Sequence, residues 1–126
     1  MLNLIEMVKN INNKALTHYV VKDEMVIQHI PDDNISEAVN GGRLNKFGYL
    51  HGICNKYNSI SIGIISGMSS SGKKTCLNLI MTLKQRYKID NDNIVRQMDV
   101  TGDIDPECWH DSKLWQAEII NNLIEI

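Results

Sequence analysis

The sequence predicts an α/β fold, a small mixed sheet flanked by helices, in one domain spanning residues 1–126. Three observations predict it. ISIGIIS, residues 60–66, is an isoleucine-rich run bounded by turn residues, as in a central strand buried on both faces. CLNLIMTLKQRY, residues 76–87, puts Cys76, Leu79, Ile80, Leu83 and Tyr87 on one helical stripe, with Ser69–Ser71 placed to cap its start. HYVVKDEMVIQHI, residues 18–30, is two β-branched runs either side of Asp23-Glu24 and reads as a hairpin, though its turn lacks the glycine a two-residue loop favours.

The other elements follow in chain order. Leu4, Ile5, Val8 and Ile11 fall at helical spacing with polar residues between them, which predicts an amphipathic helix over residues 2–14. Residues 31–58 are rich in Asn, Gly and Asp with no sustained period, and a loop of that length points to function or a partner surface. IVRQM, residues 94–98, predicts a last short strand, too polar for a buried parallel one. Pro106 then breaks the chain, and Trp115, Ile119, Leu123 and Ile124 form the core face of a closing helix.

Composition excludes several classes. With 13 Lys+Arg against 15 Asp+Glu the chain lacks the basic excess of a general nucleic-acid binder. No apolar run approaches the roughly 20 residues of a membrane helix, and the N-terminus does not read as a signal peptide. Cys54, Cys76 and Cys108 form neither a disulfide framework nor a metal knuckle, so reduced thiols in a cytoplasm are expected.

GMSSSGKKT, residues 67–75, has the order of a phosphate-binding loop, strand before and helix after. Gly67, Gly72 and Lys73 fit, but Lys74 stands where a magnesium-binding hydroxyl is required and Thr75 comes one residue late. An ammonium has donors only and cannot hold a metal. Asp99, at the end of IVRQMD, offers only a remote second element of such a site. The plainer reading is a serine-capped helix start with its lysines in solvent.

Three segments together resemble the zinc-dependent N-acetylmuramoyl-L-alanine amidases of the amidase-2, or peptidoglycan-recognition, family found in phage endolysins. ALTHYVVKDEMVIQHIPDDNIS, residues 15–36, is similar to that family's S-H-Y-V-V strand, turn, I-I-Q strand and P-E-N-x-I-A loop. NSISIGIISGMSSSGKKTCLNLIMTLKQRYKID, residues 58–90, is similar to its S-I-G-I-E strand, variable loop and long helix ending in R-Y-x-I. NIVRQMDVTGDIDPECWHDSKLW, residues 93–115, resembles R-V-V-R-H-x-D-V-T-G-K-x-C-P followed by a Trp-bearing helix.

The resemblance implies a fold and, at the same time, a missing chemistry. The family's zinc takes two histidines and a Cys or Asp, leaving one open position. Its first histidine lies on a strand expected to precede the helix at 2–14, so strand and ligand are expected to be absent. The second falls on Gln97, the third on Asp105, the catalytic Glu on Ile65 and the oxyanion-stabilising lysine on Asp103, where an anion opposes the developing charge. The family's Trp-His pair falls on Glu37 and Ala38, while His18, Tyr19, Asp99, Thr101, Gly102, Pro106 and Trp115 are retained.

DIDPECWHD, residues 103–111, could hold a relocated metal through Asp105, Cys108 and His110, but the plainer reading is a solvated acidic loop. His29 and His51 are possible ligands that more often serve as hydrogen-bonded groups, and no cysteine is placed beside a base. Lys73, Lys74, Lys84, Arg86 and Lys88 read as a solvent-facing helix surface.

The expected function is a catalytically inactive amidase-like protein, phage- or prophage-encoded, binding a host component as inhibitor or decoy in the host cytoplasm. It would use no cofactor, no metal and no membrane, and a sheet edge left by the missing strand invites self-association. The alternatives are an active zinc amidase whose first ligand strand is missing or supplied by a partner, and a nucleotide-binding protein.

Overall fold

Alternating and continuous apolar runs become strands wherever a neighbour covers them, and five such runs pair here. The computed structural model describes residues 4–9, 17–36, 58–64, 68–101 and 107–123. Its strands are β1 (Leu4–Lys9), β2 (Tyr19–Lys22), β3 (Met25–Gln28), β4 (Ser59–Ile64) and β5 (Ile94–Arg96). They form one five-stranded sheet in the order β3-β2-β4-β1-β5. β1 runs parallel to β4 and β5, β2 parallel to β4, and β2 pairs antiparallel with β3. Helices α1 (Ser70–Tyr87), α2 (Gln97–Thr101) and α3 (Ser112–Glu118) flank it, joined by short 3₁₀ turns.

Two expectations are corrected. Residues 4–9 are not helical: they form β1, second from one edge of the sheet, in register with β4 from Leu4–Ser59 to Lys9–Ile64. The sheet therefore has a strand ahead of the hairpin, and the expectation of a missing first strand falls with the helix. The apparent helical spacing arose because β1 is covered on both faces. Ile5 and Met7 point to the α1 side, Leu4 and Val8 to the other, and all four are buried. The second correction is β5, which is parallel and fully buried despite its arginine; the reason lies in the bonding of Arg96, described below. β5 also ends at Arg96, so Gln97 and Met98 belong to α2.

The rest follows the sequence closely. β4 is buried at all six positions. The hairpin turns at Asp23-Glu24, with Asp23 at φ 51°, a left-handed conformation that aspartate tolerates better than most residues. Asp23 also receives the Ser69 hydroxyl at 3.1 Å, tying the turn to the start of α1.

Cys76, Ile80 and Leu83 of α1 are buried against Ile5, Met7, Ile60, Ile62 and Ile64. Ser69 is the cap, its Oγ accepting the Gly72 amide at 3.1 Å, and Lys88 closes the helix in the left-handed region. Ser69→Ala should therefore lower stability by about 1 kcal/mol in urea denaturation, with Ser70→Ala nearly neutral. The closing helix is shorter than expected: α3 ends at Glu118 and the chain continues as a 3₁₀ turn over Ile120–Asn122. Trp115, Ile119 and Leu123 are nonetheless buried as the stripe required. Ile124 and most of the 31–58 loop lie outside the described residues.

Candidate functional site

Ligands of α/β sheets are bound outside the carboxyl ends of parallel strands. Four such ends lie on this side of the sheet, at Lys22 of β2, Ile64 of β4, Lys9 of β1 and Arg96 of β5. Lys9 pairs with Ile64, and Met7 with Arg96, so Gln97 stands immediately past the sheet at the start of α2. Gln97 is buried, and Asp99 lies two positions further along the same short helix.

Arg96 and Asp99 form the electrostatic centre of this end. The Asp99 carboxylate accepts the Arg96 amide at 2.9 Å, Nε at 3.2 Å and Nη2 at 2.8 Å. The guanidinium spends its remaining donors on the Trp109 carbonyl at 3.0 Å, the His110 carbonyl at 3.4 Å and the Ser112 hydroxyl at 3.2 Å. Trp115 lies 5.9 Å from its carbon centre and stacks edge-on with Trp109 at 5.4 Å. A buried charge is tolerable only when paired and hydrogen-bonded, and this fork meets that condition with four residues.

Beside it, β1 buries a carboxyl group. Glu6 is 1% exposed, and among the described residues its Oε2 has no hydrogen-bond partner. Burial, reinforced by the negative charge of Asp99, pushes the Glu6 carboxyl up to about 8. The group is thus neutral at pH 7, the form a carboxyl adopts when water is withdrawn and no cation compensates.

Glu6 is in register with Ser61 of β4, which leads to a second polar group. The Ser61 amide donates to His18 Nδ1 at 3.1 Å, and His18 Nε2 meets the Asn34 carbonyl at 2.6 Å. These contacts assign one tautomer, with Nε2 as donor and Nδ1 as acceptor. Ser61 Oγ accepts the His18 amide and donates to Ser36 Oγ at 2.9 Å. His18 and Ser61 are completely buried, so the pair staples β2 and the 31–36 segment to β4 and is not an exposed nucleophile and base.

Tyr19 belongs to a third group, away from the strand ends. Asp32 accepts the hydroxyls of Tyr19 and Tyr87, Arg86 Nη1 at 2.9 Å and Gln28 Nε2 at 3.2 Å. Burial alone would raise the Asp32 carboxyl, but the hydrogen bonds from Tyr19, Tyr87 and Arg86 outweigh it and hold the group below its usual range. Burial and the Asp32 bond push the Tyr19 phenol up to about 12. A carboxylate with a lowered folded value stabilises above its unfolded pKa and stops doing so as pH falls through the folded one. The melting temperature should accordingly drop below about pH 4, and Asp32→Asn should cost on the order of 1–3 kcal/mol at pH 7 and flatten that acid limb.

The structure thus brings Gln97 and Asp99 together and separates them from His18 and Tyr19. Thr101 ends α2. Asp103, Asp105, Ile65, Glu37 and Ala38 lie outside the described residues, as do Cys54 and His51. Of the relocated-metal candidates, Asp105 lies outside the described residues, and His110 is exposed with its carbonyl on Arg96; the neighbouring Asp111 caps α3 by accepting the Lys113 amide at 2.8 Å. Among the described residues no group of three His, Cys, Asp or Glu is placed to hold a metal ion. Burial, with Cys108 nearby, pushes the Cys76 thiol far up, and a thiol held protonated is a poor nucleophile.

The basic cluster faces solvent at Lys74, Arg86 and Lys88, as expected, but not throughout: Lys73 Nζ bonds Glu118 at 2.7 Å and Lys84 is buried. Among the described residues no helix is long and apolar enough to cross a membrane.

The sequence reading missed Glu6, Arg96 and Asp32. Arg96-x-x-Asp99 at a strand-to-helix junction was an available signal for a buried ion pair. Glu6 inside an apolar run was another, taken for the polar side of a helix.

The residues present do not fit the zinc site that the resemblance implies. β1, the strand ahead of the hairpin, reads LIEMVK, and no histidine stands anywhere before His18. Gln97 offers an uncharged amide, a poor zinc ligand beside imidazole.

No family model and no curated protein matches the chain. Solved structures do. A point mutant of PlyL superimposes with a TM-score of 0.73 at 18% identity, covering 95% of this chain and 83% of that one. The PlyG catalytic domain gives 0.70 at 18%, covering 96% and 80%. The catalytic domain of XlyA gives 0.68 at 18%, covering 93% and 83%. At this identity the likeness is one of architecture: the chain has the mixed α/β fold of endolysin amidase catalytic domains.

Proposed function

We propose that this chain is a catalytically inactive amidase-fold protein, phage- or prophage-encoded, that binds a component of the host cell as an inhibitor or decoy. One observation carries the reading: β1, the strand ahead of the hairpin, where the resemblance would put the first zinc ligand, holds no histidine. Gln97 at the second ligand position supports it, as do Ile65 and Asp103 where the resemblance puts a glutamate and a lysine. The proposed binding surface is the end of the sheet around Gln97, together with Asp105 and the 31–58 loop.

The rival is an active zinc amidase completed by a partner's strand. It needs a gap in the sheet, and β1 fills the one the sequence suggested. Nucleotide binding at Gly67–Thr75 fares no better, since Lys73 is engaged by Glu118.

The deciding experiment measures zinc by atomic absorption and muramoyl-peptide hydrolysis on the same sample. Neither stoichiometric zinc nor hydrolysis is expected. One tightly held zinc per chain with peptide release would overturn the proposal. A pull-down from host extract should recover a partner that the near-isosteric change Gln97→Met weakens, with melting curves of both chains recorded because the residue is buried; equal recovery by both chains would exclude this end of the sheet as the binding surface.

A further inference from the structure

The outermost strand of the sheet has the composition of an inner one. All four residues of β3 are exposed, with Met25 at 57%, Val26 at 40% and Ile27 at 37%. Its register with β2 puts Val26 on the face of Val21, towards α1, and Met25 and Ile27 on the opposite face with Lys22 and Val20. Apolar residues on both faces mark a strand with neighbours on both sides. Natural edge strands are usually blunted by lysine, proline or a bulge, and β3 has none of these.

The outward backbone groups follow from the ladder. The His29 amide bonds the His18 carbonyl at 2.9 Å, and antiparallel pairs alternate, so Val20–Ile27 and Lys22–Met25 are also bonded pairs. Val26 and Gln28 therefore turn their N–H and C=O groups away from β2, where no described residue meets them.

We propose that β3 pairs with β3 of a second copy, antiparallel about a two-fold axis, to make one sheet continuous across a dimer. Self-complementarity selects a second copy as the occupant. An axis at Val26 sets it against Val26 of the second copy, Met25 against Ile27, Glu24 against Gln28 and the acidic Asp23 across from His29. Apolar side chains meet on both faces and no like charges are opposed. Sliding the register by two residues puts Met25 opposite His29 and Glu24 opposite Ile30, which loses both matches. An edge this short buries less than the roughly 1,200 Å² of a stable interface, so the dimer is weak and concentration-dependent. This inference is independent of the binding function proposed above.

Sedimentation velocity on the full chain, from micromolar to about 1 mM, tests it. The wild type should show a reversible monomer–dimer equilibrium. Val26→Lys and Val26→Glu each place like charges across the axis and should weaken association at least about tenfold, with unchanged far-ultraviolet dichroism and melting because the position is exposed. An equimolar mixture of the two should associate again, as only a two-fold pairing at residue 26 requires. A monomeric wild type at about 1 mM, variants that dimerise normally, a mixture that stays monomeric, or open-ended aggregation would each overturn the proposal.

Discussion

Arg96→Ala should lower the stability of the chain at 25 °C by about 3–5 kcal/mol. The substitution strands the Asp99 carboxylate in a buried site, still beside Glu6. It also deprives the carbonyls of Trp109 and His110 of their donor and removes the cation from Trp115. Total stabilities of 5–15 kcal/mol leave little room for such a loss. Arg96→Lys should recover only part of it, because one ammonium cannot satisfy acceptors on three sides. The double variant Arg96→Met, Asp99→Leu separates the contributions. It removes both charges, so it should be more stable than Arg96→Ala but remain below wild type, since the Trp109 and His110 carbonyls stay unpaired. Urea titrations of the four chains read this directly; a fully stable Arg96→Ala chain would show that the fork is dispensable.

The second large effect runs the other way. Glu6→Gln should stabilise the chain at pH 7, on the order of 2–3 kcal/mol. In the unfolded chain Glu6 ionises near its ordinary value of 4.5, whereas the folded chain keeps the proton to about 8. Between those values the unfolded state binds fewer protons, so each pH unit upward removes about 1.4 kcal/mol of stability. The contribution is complete below pH 4.5 and lost as pH rises through 8. Glutamine retains the shape and neutrality of the protonated acid and cannot ionise, so the variant's stability should be nearly flat across that window. Denaturation midpoints at half-unit steps from pH 5 to pH 8.5 would reveal it. Parallel profiles for the two chains would mean that Glu6 is ionised in the folded protein.

These two residues also explain where sequence reasoning stopped. β4, the 19–28 hairpin and α1 were readable because each carries a period or turn chemistry that holds whatever surrounds it. β1 was not: a short apolar run covered on both faces has no strand period, and Glu6 supplied a false polar side. A carboxyl inside a central strand is unexpected until its neutrality is known, and that depends on neighbours brought in by the fold. Arg96 misled in the same way. IVR reads as too polar to bury because, Asp99 apart, the groups that satisfy the guanidinium lie 13 to 16 residues further along the chain. The place the resemblance assigns to Gln97 needed no fold at all, since it is read from the position ahead of Asp99 and Thr101. What the fold added is a strand, β1, ahead of the hairpin, where a helix was expected.

Both tryptophans of the chain, Trp109 and Trp115, sit in one edge-to-face pair against the Arg96 guanidinium. Intrinsic fluorescence excited at the indole band is consequently a reporter of that corner alone. Loosening of α3 or of the β5–α2 junction will shift the emission at once. Fraying of the β2–β3 hairpin, on the far side of the sheet, will pass unseen by it and emerge only in amide exchange. Optical melts of this protein therefore time the release of its C-terminal third.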